Sequence, residues 1–138
     1  VTTTRPIRVV LVREGDAGSG CCGQIGDLSD EPGSAEHYRR TRADMHAMGA
    51  VYRALRAAFD EDDVVVEVVD PRNTAWLLPT LARDARRRGL RGREVWRLVL
   101  GGVRQHAVIV DGLLVHPGGT PPDPQAVVAA VRREVTAA

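Results

Sequence analysis

Ala107-Val108-Ile109-Val110-Asp111-Gly112-Leu113-Leu114-Val115 is the stretch that decides the fold. Two apolar runs flank an Asp-Gly pair. Both central residues of the tightest hairpin turn need positive φ, which Asp and Gly tolerate, so the stretch reads as a β-hairpin. A hairpin needs a sheet to join, and the rest of the chain must supply it.

Downstream, Pro117 to Pro124 is a loop with Gly118, Gly119 and several prolines. Asp123 with Pro124 at the first helical position opens a last helix. Val127, Val128, Val131 and Val135 give that helix its apolar face. Upstream, Arg93 to Leu100 reads as a short helix with Val95, Trp96 and Val99 as its apolar set, stopped by Gly101-Gly102. Before it, Asn73 or Thr74 caps a helix carrying Ala75, Leu78, Ala82 and Ala85, and Gly89 ends it. Pro79 predicts a kink there, or a restart of the helix.

Val64 to Val69 is a strand by its β-branched content, closed by Asp70-Pro71. Asp60-Glu61-Asp62-Asp63 precedes it as a solvated connector, and its spacing matches no calcium loop. Ser34 to Phe59 is the longest helical pattern. Tyr38, Met45, Met48, Tyr52, Leu55 and Phe59 recur at helical spacing as one stripe, and Gly49 suggests close packing on the sheet. Ile7 to Val12 is a strand, nearly all apolar, as in a sheet covered on both faces. Strand, helix, strand gives a βαβ unit with parallel strands.

The predicted order is β-α-β-α-α-β-β-α, an α/β class. Two parallel strands and the hairpin form one mixed four-stranded sheet with helices on both faces. The whole chain, 1–138, reads as a single domain with residues 1–6 as a polar lead-in.

Composition narrows the function classes. The chain is 43% hydrophobic with 4% aromatic residues, so its core is built from Val, Leu and Ala. Nineteen basic and eighteen acidic residues nearly cancel, which gives no general nucleic-acid-binding surface. All the basic residues are arginine, a pattern read as codon composition. No run approaches a membrane span, and the N-terminus lacks the apolar core of a secretory signal, so the expected location is the cytoplasm.

Between the first strand and the first helix, residues 13–33 form a glycine-rich loop, with a short helical turn allowed at Gln24–Leu28. It holds both cysteines, in Gly18-Ser19-Gly20-Cys21-Cys22-Gly23. The loop follows a strand, as a phosphate cradle does, but lacks the Gly-Lys-Ser/Thr ending. Adjacent Cα atoms are ~3.8 Å apart, whereas relaxed disulfides span roughly 4.4–6.8 Å. A Cys21–Cys22 bond is therefore strained and easily reduced. That favours a redox switch, a chelate for a soft metal or metalloid ion, or two plain thiols. Gly20 and Gly23 give the backbone freedom to present both sulfurs. His37, His46, His106 and His116 are the imidazoles. His37 and His46 fall on opposite sides of one helix, so they cannot form a chelating pair with each other. A bridged homodimer would bring four cysteines together, enough for an iron–sulfur cluster.

The element order, with a cysteine pair just after the first strand, resembles the thioredoxin-like fold over roughly residues 5–136. The resemblance implies redox chemistry at Cys21 and Cys22, a protein redox partner, and a place for His106 beside the first-strand loop as the best third partner of the pair. The family's usual pair is Cys-x-x-Cys, whereas these cysteines are adjacent. Gln105-His106-Ala107 stands where the family usually has a cis proline. The adjacent pair is also similar to that of thioredoxin-fold metalloid-handling proteins. A third expectation needs no thiol chemistry. The arginines between Arg83 and Arg93, with Arg83 and Arg87 one turn apart, read as a solvated face, or with Trp96 as a partner-docking surface.

Overall fold

The structure is a computed structural model that describes residues 5–14 and 34–138, apart from the side chains of residues 34–38 and 41. The strands are β1 (Ile7–Val12), β2 (Val64–Val69), β3 (Ala107–Val110) and β4 (Leu113–Pro117). The helices are α1 (Ser34–Ala58), α2 (Thr74–Arg87), α3 (Arg93–Gly102) and α4 (Pro124–Ala137). Their order along the chain is the one the sequence predicts. The helical turn expected at Gln24–Leu28 lies outside the described residues.

The sheet runs β2-β1-β3-β4. β1 pairs in parallel with β2, from Ile7 opposite Val64 to Val12 opposite Val69, and antiparallel with β3. The hairpin forms as expected, with Asp111 at φ 47 and Gly112 at φ 84, the two positive values of a type I′ turn. A register shift lies between Val108 and Ile109, and β4 runs on to Pro117, which an edge strand tolerates.

Alternation along β1 separates two cores. Ile7, Val9 and Leu11 pack with Met48, Val51 and Leu55 of α1 and Val127, Val128 and Val131 of α4. Val10 and Val12 pack with Leu77, Leu81 and Ala85 of α2 and Val95, Leu98 and Val99 of α3. The sheet thus lies between an α1/α4 layer and an α2/α3 layer. Truncating a fully buried leucine such as Leu11 or Leu81 to alanine removes about 2–5 kcal/mol.

Several helix faces differ from expectation. In α1 the buried stripe is Met48, Val51 and Leu55, and Tyr52 is exposed. Val51 is three residues after Met48 and four before Leu55, so the stripe passes through it. A Cβ at Gly49 would meet Arg53 of the same helix, and no sheet atom within 4 Å. In α2 the buried line is Leu77, Leu81 and Ala85, with Leu78 turned outward. Pro79 neither breaks nor restarts the helix. The carbonyl it leaves without a donor belongs to Ala75, which faces solvent. Gly89, at φ 88, closes α2 with bonds from Leu90 N to Ala85 O and from Gly89 N to Arg86 O, a Schellman end.

α3 runs through Gly101 and Gly102 instead of stopping before them. A Cβ at Gly102 would fall 2.7 Å from Leu81 Cδ1, and one at Gly101 2.8 Å from Leu114 Cδ2. These glycines let the end of α3 approach α2 and the hairpin. α4 starts as expected, with the Asp123 carboxylate accepting from the amides of Gln125 and Ala126.

Candidate functional site

β1 is a central strand, and the chain passes from its end through Arg13 and Glu14 into the segment that carries the cysteines. Cys21, Cys22, Gly20 and Gly23 lie outside the described residues. What the structure describes is the ground next to them in the chain, and His106 stands on it.

His106 is the residue before β3. Its amide donates to the carbonyl of Val12, the last residue of β1, at 2.7 Å. Its φ is 67, a left-handed value that is uncommon for a side chain of this size. The turn is closed by Ala107 N donating to Arg104 O at 3.1 Å. It is braced from outside by Gly119 N donating to Gln105 O at 2.9 Å. Gly118 (φ 84) lies so close that a Cβ there would be 2.6 Å from Gln105 O. Backbone packed this tightly can hold a residue in a sparsely populated conformation.

The imidazole is 4% exposed, and neither ring nitrogen has a hydrogen-bond partner among the described residues. Asp44 of α1 faces it, with Oδ1 3.6 Å from Nε2, just beyond hydrogen-bond reach. Gln105 Nε2 donates to Asp44 Oδ2 at 3.5 Å. Buried polar groups in folded proteins are nearly always bonded, so an imidazole with both nitrogens unbonded stands out. Sequence reasoning reached His106 but not Asp44 or Gln105, whose pairing joins residues 61 apart and leaves no local signal.

Beside this point, Arg13, Arg42, Met45, His46, Gly49 and Arg53 surround an open hollow of about 440 Å³. Its charge is basic and it abuts the residue that follows β1. His46 belongs to this hollow and not to the surroundings of His106. His116 lies on β4, where its Nε2 is 2.7 Å from Thr120 O. Among the described residues no group of three His, Cys, Asp or Glu side chains is arranged to hold a metal ion.

The partner-surface residues stand in the other helical layer. Arg83 and Arg87 are exposed on α2, and Arg87 reaches back to the buried carboxylate of Asp84 at 3.9 Å. Trp96, expected in the apolar set of α3, is 66% exposed. Leu98 takes the inward position beside Val95 and Val99, which leaves the indole outside. Trp96 lines a cavity of about 540 Å³ between α2 and α3. The arginines on that cavity are Arg86 and Arg91, not Arg83 and Arg87.

No protein-family model, curated protein or solved structure matches the chain. No helix among the described residues is long and apolar enough to cross a membrane.

Proposed function

We propose that the chain is a thioredoxin-like thiol protein that works in redox switching or thiol exchange through Cys21 and Cys22. The reading rests on one observation above the rest. A buried imidazole with no hydrogen-bond partner among the described residues is tied by its own backbone to Val12, the last residue of β1, which leads directly into the glycine-rich loop of the cysteines. The α/β order and mixed sheet support the fold half of the reading. The arginine-lined hollow at Arg13, the residue with which the cysteine loop begins, supports the chemical half, because positive charge beside a thiol favours the thiolate.

The exchange balances as follows. One cysteine, as thiolate, attacks a sulfur of a substrate disulfide and forms a mixed disulfide, releasing the first substrate thiolate. His106 takes the proton of the second cysteine as that sulfur attacks the mixed disulfide. The products are the Cys21–Cys22 disulfide and the second substrate thiolate, which leaves with the proton. Strain in a bridge between adjacent residues makes it a strong oxidant that returns readily to the dithiol.

A second reading uses the same atoms. Cys21 and Cys22 would hold a soft metal or metalloid ion, with His106 as third ligand, because an unbonded buried imidazole is free to ligate.

The test is stopped-flow reaction of the reduced protein with a small aromatic disulfide. The intact pair releases two aromatic thiols per chain, and Cys21→Ser or Cys22→Ser stops at one. His106→Asn slows the reaction near neutral pH by about tenfold or more. Equal rates for the native protein, the His106 variant and a denatured control would overturn the reading. For the second reading, absence of arsenite and zinc binding by the reduced protein is the decisive negative.

A further inference from the structure

We infer that the cavity between α2 and α3 is a docking groove for an acidic amphipathic helix of a protein partner. The groove is independent of the thiol reading and lies in the other helical layer.

Its walls are two helices. From α2 come Leu78, Ala82 and Arg86, four residues apart, so they fall in one row along the helix. From α3 come Val95 and Val99 in one row and Trp96 in the next, with Leu100 continuing the row of Trp96. Leu90, in the turn between the helices, closes one end. The row from Leu78 to Arg86 spans about 12 Å, or two helical turns. A hollow with Leu78 and Ala82 on one helix, Trp96 on the other and the buried Val95 and Val99 in its lining offers apolar contacts of the kind helix-in-groove recognition uses, which reads anchors at i, i+3 or i+4 and i+7.

Exposure marks the surface as one left to be covered. Trp96 is 66%, Leu100 64% and Leu78 41% exposed. Leu100 lies beyond the cavity, so the apolar strip is longer than a small-molecule pocket requires.

Charge selects the occupant. Arg86 and Arg91 line the cavity at the turn end. From Ala82 to Leu100 the chain carries Arg83, Arg86, Arg87, Arg91, Arg93 and Arg97, besides Arg88, which Glu134 engages, against Asp84 and Glu94. Asp84 is buried and faces Arg8, so it offers little negative charge to the surface. A second copy docking by the same face would set these arginines against themselves, which like-charge repulsion disfavours. A nucleic-acid strand would satisfy the arginines but not the aliphatic floor, which offers one aromatic ring for stacking. An acidic helix with apolar anchors satisfies both.

The experiment uses the full chain and a synthetic helical peptide of about five turns, with Leu at one face and Glu elsewhere. A second peptide carries Lys in place of Glu. Binding is followed by calorimetry and by indole fluorescence. The groove accounts for saturable one-to-one binding of the Glu peptide that Trp96→Ala and Arg86→Glu/Arg91→Glu each weaken by about tenfold or more. The double variant should also restore binding to the Lys peptide. Circular dichroism and denaturant midpoints confirm that these exposed-site variants stay folded. No binding of the Glu peptide overturns the inference. So does equal binding of both peptides, preferential binding of a single-stranded oligonucleotide, or a self-association that Trp96→Ala abolishes.

Discussion

The amide of His106 donates to the carbonyl of Val12 at 2.7 Å, and this bond places a buried imidazole at the end of β1. The backbone there is left-handed, at φ 67, and both ring nitrogens lack hydrogen bonds among the described residues. Both features cost stability, so a site selected for folding alone would carry neither. His106→Asn keeps a residue that tolerates positive φ and relieves part of the burial. Its expected denaturant midpoint equals or exceeds that of the native chain, while its thiol reactivity falls. A loss of more than about 2 kcal/mol in urea unfolding would instead mark His106 as a structural residue.

Gly112 tests how the hairpin meets α2. A Cβ there would lie 2.6 Å from Asp84 O and 3.0 Å from Ala85 N, both backbone atoms that cannot move aside cheaply. Its φ is also positive, as is that of Gly89, where a Cβ would meet nothing within 4 Å. Gly112→Ala should therefore cost clearly more than Gly89→Ala, by about 1–3 kcal/mol of steric clash over the shared strain. Urea denaturation of the two variants side by side gives the comparison.

Asp84 is 2% exposed and faces Arg8 of β1, with oxygens 3.3 and 3.5 Å from the guanidinium. Arg8 also holds Glu67, at 3.4 Å from Nε. Among the described residues, Arg8→Met leaves Asp84 the more distant Arg87, at 3.9 Å, as its cation. The long distances and the part-exposed arginine temper the loss, so the expected cost is about 2 kcal/mol. Replacing both, as Arg8→Met/Asp84→Leu, should recover most of it, and a double-mutant cycle by urea denaturation measures the coupling.

Arg88, just past α2, donates to both oxygens of Glu134 on α4, at 2.7 and 3.1 Å. The bond joins the two helical layers. It holds the Glu134 carboxyl below its usual range, chiefly through the hydrogen bonds from Arg88. A lowered carboxyl stabilises the fold above its unfolded value, roughly pH 4.3, and the gain is lost as pH falls through the lower folded value. Glu134→Gln should therefore cost about 0.5–1 kcal/mol at pH 7, a figure for a pair that meets solvent. The difference from the native chain should vanish at strongly acidic pH and shrink in high salt. Unfolding midpoints at pH 7 and near pH 3 supply the check.

Local chemistry made most of the architecture readable before the structure. The Asp111-Gly112 turn, the Asp123-Pro124 start and the Gly89 stop each act through a few bonds among neighbours in sequence. The faces of helices were less legible, because burial is decided by what lies opposite. Trp96 points outward since Leu98 fills the sheet side, and Gly101-Gly102 serves packing against Leu81 and Leu114 instead of ending a helix. The candidate site was legible only as far as His106. Asp44 comes to it through the fold, held by Gln105 from 61 residues away, a separation no periodicity reveals. Arg86 and Arg91 stood in the same arginine run as Arg83 and Arg87, and only the turn between α2 and α3 selects them for the groove.

The claim that Cys21 and Cys22 act as one dithiol is tested most directly by thiol counting during mild oxidation, with intact mass and chain size read together. The account expects both of the chain's thiols to disappear in step. The chain should stay monomeric and lose the mass of two hydrogen atoms, and a mild dithiol reductant should restore both thiols. Thiols that persist unchanged, or that vanish only as disulfide-linked dimers form, would contradict it.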